Sequence, residues 1–184
     1  MALSRRSLRW LPNAVTATRL AALPSLAAVL ARSKGRTSPV GAALFAGIGA
    51  TDLLDGYLAR RLDADTAFGR VADPLADRLL LAVGLIGLIR MGRLHPSGPA
   101  LLLARDALSV VGYAALRARG APAAVDRAGK ASSALAMAAT ALALASEEPW
   151  IDALFWASVA GALATLGRYG VRASRGSLAS SGTI

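Results

Sequence analysis

Six apolar stretches, at about 13–31, 39–59, 70–90, 99–117, 131–146 and 150–168, take up most of this 184-residue chain. Each has roughly the length that a helix needs to cross about 30 Å of bilayer hydrocarbon, near 20 residues at 1.5 Å each. The segments between them, "RSKGRTSP", "RLDADTAFG", "MGRLHPSGP", "RARGAPAAVDRAG" and "SEEP", carry the Gly, Pro and charged residues that end helices. The pattern predicts an all-α fold, an integral membrane bundle of six transmembrane helices forming one domain over 13–172. The fifth stretch is the shortest, which suits a span with little tilt or a partly interfacial one.

Cations set the expected orientation. With the N-terminus in the cytoplasm, thirteen of the 21 Lys and Arg residues fall in cytoplasmic connections and five in the opposite ones. An N-in chain with an even number of spans follows, in the cell (plasma) membrane. Arg19, Arg78 and Arg105 lie inside spans and need a separate explanation. Ahead of the first span, residues 1–12 include "SRRSLRWL", in which Arg5, Arg6 and Arg9 alternate with Leu8, Trp10 and Leu11 as in a short interfacial amphipathic helix on anionic lipid. No cleavable signal peptide is expected, because Arg19 and Pro24 interrupt the first apolar run. Residues 173–184 have little apolar content and are expected to be a disordered tail.

Composition removes other classes. The net charge of +10 is spread singly between apolar runs with few aromatics, so nucleic acid is not the expected partner. With no cysteine and one histidine, His95, any metal must be held by oxygen. Ala- and Gly-rich runs such as "GAALFAGIGA" read as close helix packing in a bundle.

Against this background the run "TDLLDGYLARRLDADTAFGRVADPLAD", residues 51–77, is anomalous, since it holds six aspartates. Asp63 and Asp65 fall in a connection and read as solvated. Asp52 and Asp55, three apart at the end of span two, share a helical face, as do Asp73 and Asp77, four apart at the start of span three. A short loop joins the two spans as antiparallel neighbours, so four carboxylates converge at the cytoplasmic end. Uncompensated, they would repel one another and lose hydration. Divalent Mg²⁺ or Mn²⁺ resolves both difficulties, and a pair of such ions ~3.5–4 Å apart suits phosphoryl chemistry. Gly56 and Ala59 remove bulk near Asp52 and Asp55, and Arg60 is placed to hold phosphate. Gly69 relieves crowding one turn before Asp73.

Asp52, Asp55, Gly56, Ala59, Arg60, Gly69, Asp73 and Asp77 together spell DxxDGxxARx₈GxxxDxxxD, and in this the chain resembles the CDP-alcohol phosphotransferase family. The resemblance implies a membrane enzyme, commonly a homodimer, that displaces CMP from a CDP-linked lipid with an alcohol acceptor. It implies that Asp52, Asp55 and Asp73 bind two divalent cations, that Asp77 is both ligand and general base, and that Gly56, Ala59, Arg60 and Gly69 hold the CDP moiety.

The opening "PNAVTATR" resembles the first span of the phosphatidylglycerophosphate synthase and cardiolipin synthase branch. Asn13, Thr16 and Arg19 share a face there; Asn13 and Thr16 are expected near CDP and Arg19 near an acceptor phosphate, although Asn13 reads equally as a helix cap. "ADPLAD" points to the same branch. Arg105 and Lys130 resemble basic acceptor positions on later spans; Arg105 with Asp106 reads equally as a local charge pair, and Lys130 as a topogenic cation. The chain departs from that branch at Arg78, where lysine is usual, at Asp106 instead of Glu, and in "GKASS", which lacks a Lys-Thr pair. The expected reaction is phosphatidyl transfer from CDP-diacylglycerol to glycerol 3-phosphate. Alternatives are phosphatidylglycerol as acceptor, giving cardiolipin, or an inositol phosphate; from another class, a non-catalytic membrane cation carrier. A carrier would place acidic residues along or on both sides of the bilayer, whereas these four cluster on one side.

Overall fold

The computed structural model describes the backbone of residues 11–62, 69–118 and 127–180 and the side chains of 16–51, 73–112 and 129–167. The described residues form six α-helices and no strand: α1 (Leu11–Arg32), α2 (Pro39–Leu62), α3 (Gly69–Arg90), α4 (Ser97–Ala118), α5 (Arg127–Ala145) and α6 (Pro149–Ser180). Each apolar stretch became a helix, and α1 runs unbroken through Arg19 and Pro24. Within the described residues, Pro149–Gly167 is both long and apolar enough to cross a membrane, while Pro39–Thr51 and Gly129–Ala145 are shorter apolar stretches. The first ten residues, where the interfacial helix was expected, lie outside the described residues.

Helix α6 extends as far as Ser180, through residues 173–180 of the stretch expected to be a tail. Extending an existing helix adds a hydrogen bond per residue with no new nucleation cost, and "VRASRGSLAS" is rich enough in Arg, Ala and Leu to continue it.

The chain divides into two compact units, one of residues 1–94 with 140–147, the other of 95–139 with 148–184. In the first, α1 packs against both α2 and α3. The buried positions of α1, Thr16, Arg19, Leu23, Leu26 and Leu30, alternate by three and four residues and so form one stripe. Leu30 is wedged between two glycines: a Cβ on Gly41 of α2 or Gly87 of α3 would lie 2.5 or 2.6 Å from its side chain. Phe45 of α2 sits against Gly84 of α3 in the same way, at 2.6 Å from a Cβ built there, with Thr140 of α5 at 2.9 Å. These contacts set the helix directions. The start of α2 lies by the end of α3, so the two are antiparallel, and α1 and α3 run parallel.

The ends are closed by backbone chemistry. Ser38 caps α2, its Oγ accepting from Gly41 N at 3.2 Å just before Pro39, while its own N–H donates to Leu144 O at the end of α5 at 2.7 Å. Helix α3 ends on Gly92 at φ +65°, with Arg93 N to Leu88 O at 2.9 Å and Gly92 N to Ile89 O at 3.0 Å, a Schellman closure that glycine makes without strain. In the second unit α4 packs on α6, where Gly98 admits Phe155 and Phe155 meets Trp156 edge to face at 6.0 Å.

Gly84→Val is expected to destabilise the first unit by about 1–3 kcal/mol, because a core packed this closely accommodates added methyls only by displacing Phe45. Gly47→Val, where a Cβ would meet nothing within 4 Å, should leave stability near that of the wild type. Thermal unfolding of both variants in detergent checks this, and equal midpoints would refute the close-approach argument.

Candidate functional site

The polar end of the α1 stripe meets the carboxylates of α3. Thr16 and Arg19 are buried, one turn apart, below the leucines that bind α1 into the unit. Thr16 Oγ1 donates to Asp73 Oδ1 at 2.6 Å. Arg19 Nη1 pairs with Asp77 Oδ1 at 3.5 Å, with the arginine side chain 1% exposed and the aspartate 45%. Both links join residues 57 or 58 apart in sequence, and Leu30 with Gly87 repeats the offset, so one parallel register carries the seam from its polar to its apolar end. The geometry leaves the carboxylates partly open on one side and held by α1 on the other.

The antiparallel register of α2 and α3 bears on the remaining aspartates. Seven residues on from Phe45 brings the α2 backbone to Asp52, and seven back from Gly84 brings that of α3 to Asp77, about 10 Å along each axis. The two helices therefore carry their acidic positions at one level. The side chains of Asp52, Asp55, Gly56, Ala59, Arg60, Gly69 and Asn13 lie outside the described residues, although their backbones belong to α2, α3 and α1. Among the described residues no group of three His, Cys, Asp or Glu side chains is clustered to hold a metal. The donor chemistry nevertheless fits a hard cation: the described acidic groups are oxygen donors on one helix face, and each is bonded from behind by another side chain, as metal-ligating carboxylates commonly are.

The three cations inside the apolar helices now have partners. Arg19 faces Asp77. Arg78 bonds the Pro74 carbonyl of its own helix at 2.9 Å. Arg105, buried in the second unit, pairs with Asp106 at 2.7 Å and donates to Ser133 of α5 at 3.2 Å and Thr165 of α6 at 3.3 Å. Thr165 in turn donates to the Ala162 carbonyl at 2.7 Å, which leaves its oxygen lone pairs for Arg105. The guanidinium thus ties α4, α5 and α6 together, and Lys130, one turn before Ser133, stands exposed.

Thr16, Ser133 and Thr165 make contacts that sequence reasoning did not foresee. Thr16, expected near the nucleotide, donates to Asp73. The available signal was its three-residue spacing from Arg19, an ionisable group that needs a carboxylate in an apolar segment. Ser133 and Thr165 had none, since single hydroxyls are frequent in small-residue helices.

The sequence model of the CDP-alcohol phosphatidyltransferase family matches residues 9–166, and the chain belongs to that family. It is similar to the CDP-diacylglycerol–glycerol-3-phosphate 3-phosphatidyltransferase of Rickettsia bellii, 36% identical over 98 residues, which are 53% of this chain and 54% of the relative. A protein of the same name from Pseudomonas fluorescens is 39% identical over 80 residues, 44% of this chain and 41% of its own. The cardiolipin synthase (CMP-forming)/mitochondrial hydrolase fusion protein of Schizosaccharomyces pombe is 34% identical over 119 residues, 65% of this chain and 20% of the fusion. The chain thus spans about half the length of the bacterial relatives it matches.

Arg105→Met is expected to cost about 3–5 kcal/mol, because it strands Asp106, 15% exposed, without its counter-charge. Combining it with Asp106→Leu should recover most of that loss. Denaturant unfolding of the two single variants and the double variant measures the coupling, and additive losses would show that the pair is not a unit.

Proposed function

We propose that the chain is a six-span membrane phosphatidyltransferase that moves a phosphatidyl group from CDP-diacylglycerol to glycerol 3-phosphate and releases CMP. The observation that carries this reading is that α1 brings a buried hydroxyl and a buried guanidinium to the last two aspartates of the eight-residue family pattern. The printed names of the Rickettsia and Pseudomonas relatives supply donor and acceptor. Helices of 19 to 32 residues are long enough to span with modest tilt, and Val40, Leu79, Ile86, Leu101, Val111 and Trp156 leave large apolar surface outward where lipid would cover it. Placement in the plasma membrane with the N-terminus and acidic end cytoplasmic follows from the cation bias, and a homodimer from the family.

Asp52, Asp55, Asp73 and Asp77 would hold two Mg²⁺ or Mn²⁺ ions. When bound, such ions neutralise phosphate oxygens and so favour departure of CMP. The chain's own residues do the rest. Gly56, Ala59 and Gly69 leave room for the nucleotide, and Arg60 binds its phosphates. Asp77, partly open to the cytoplasmic side, accepts the proton of the acceptor hydroxyl at its carboxylate as the oxygen attacks. Arg105 and Lys130 would attract an anionic acceptor, with Arg105 already neutralised in part by Asp106.

A second reading, phosphatidylglycerol as acceptor to give cardiolipin, is favoured by the longer stretch of similarity to the yeast fusion protein. Purified protein with CDP-diacylglycerol and Mn²⁺, offered glycerol 3-phosphate, phosphatidylglycerol or inositol phosphate separately, decides between them by CMP release. Release with glycerol 3-phosphate is expected, and Asp77→Asn should lower it by at least about 10²-fold, the contribution of a positioned base, without affecting membrane insertion. Full activity in that variant would remove Asp77 from the base role.

A further inference from the structure

We infer that Thr16 and Arg19 are positioning residues for the carboxylates of Asp73 and Asp77 and make no contact with donor or acceptor. The inference rests on the reading of these aspartates as the metal and base groups. Thr16 is 2% exposed and Arg19 3%, so neither offers the surface that a nucleotide or a glycerol phosphate would need, whereas Asp77 is nearly half open. Each directs a donor at an Oδ1 atom of α3. A hydroxyl 2.6 Å from a carboxylate oxygen is a charge-assisted bond that fixes one rotation of the carboxyl plane, leaving one way for that group to meet a cation. The guanidinium at 3.5 Å is longer and acts on the more exposed group, so it orients Asp77 and supplies compensating charge without enclosing it.

The division of labour is specific. Thr16 acts through a proposed ligand, so removing its hydroxyl loosens metal binding. Arg19 acts through the proposed base, so altering it slows turnover. Outer partners of metal ligands typically matter by 10–100-fold. Titration of purified protein with Mn²⁺ alone, followed by the electron paramagnetic resonance of the free ion, needs no turnover. Thr16→Val keeps volume and removes the donor, and should weaken Mn²⁺ by about 10–100-fold; Thr16→Ser should restore it. Thr16→Ala provides the same comparison if the second valine methyl prevents folding. Equal affinity in the valine or alanine variant and the wild type overturns the role of Thr16, as does a serine variant no better than valine, and a wild type that binds no Mn²⁺ overturns the whole inference.

For Arg19 the readout is steady-state kinetics. Arg19→Lys should lower kcat and leave the KM for the acceptor unchanged. A raised acceptor KM with unaltered kcat would return Arg19 to phosphate binding and overturn its assignment here. Mn²⁺ binding without CMP release from any acceptor would remove the transferase reading, and the Thr16 comparison would still be decided by the titration.

Discussion

An ionised group inside an apolar helical bundle must be compensated where it stands, and that requirement organises both polar regions of this chain. In the first unit the compensation runs between helices: α1 contributes Thr16 and Arg19, α3 contributes Asp73 and Asp77. The parallel register that pairs them is held further along by Leu30 seated between Gly41 and Gly87. Helix pairs approach this closely only where the residue opposite is glycine, so the apolar end of the seam fixes the depth at which the polar end meets. A slip of one residue would rotate each α3 position by about 100° and carry both aspartates away from their partners. Packing and charge compensation are therefore one constraint seen at two ends.

Much of this was legible in the sequence because the signals were long or dense. The six helices were visible as apolar runs of spanning length, and their ends as Pro, Gly and charge clusters. The pairing of Asp52 with Asp55 and of Asp73 with Asp77 on shared faces follows from helical periodicity alone. What spacing within a segment does not encode is which segments touch. Thr16 and Asp73 lie 57 residues apart, and their contact depends on α1 docking against α3 as well as its sequence neighbour α2. The same is true of Arg105 with Ser133 and Thr165, 28 and 60 residues away. Arg105 with its neighbour Asp106 was foreseeable as a local pair, and that local part is present. Residues 173–180, read as a tail from their low hydrophobicity, belong to α6, and a helix already propagating can continue through such residues.

The two arginine sites then differ in what they permit. Arg105 lies 2.7 Å from an aspartate that is itself largely buried, and has further bonds to two hydroxyls. Breaking such a pair leaves a charge without water or partner, which is strongly unfavourable, so the site resists rearrangement. Arg19 and Asp77 are 3.5 Å apart through one oxygen, and Asp77 is 45% exposed. A carboxylate in that setting keeps contact with solvent and can exchange one cationic neighbour for another at small cost. An arriving divalent ion would replace part of the compensation that Arg19 supplies while the guanidinium remains fixed by the packing of α1. Under the proposed function the half-open carboxylate of Asp77 is the one placed for chemistry, while the buried Arg105–Asp106 pair also joins its helices. In the proposed site, burial of the cation with exposure of the anion, more than the presence of an ion pair, is what would set Asp77 apart from Asp106.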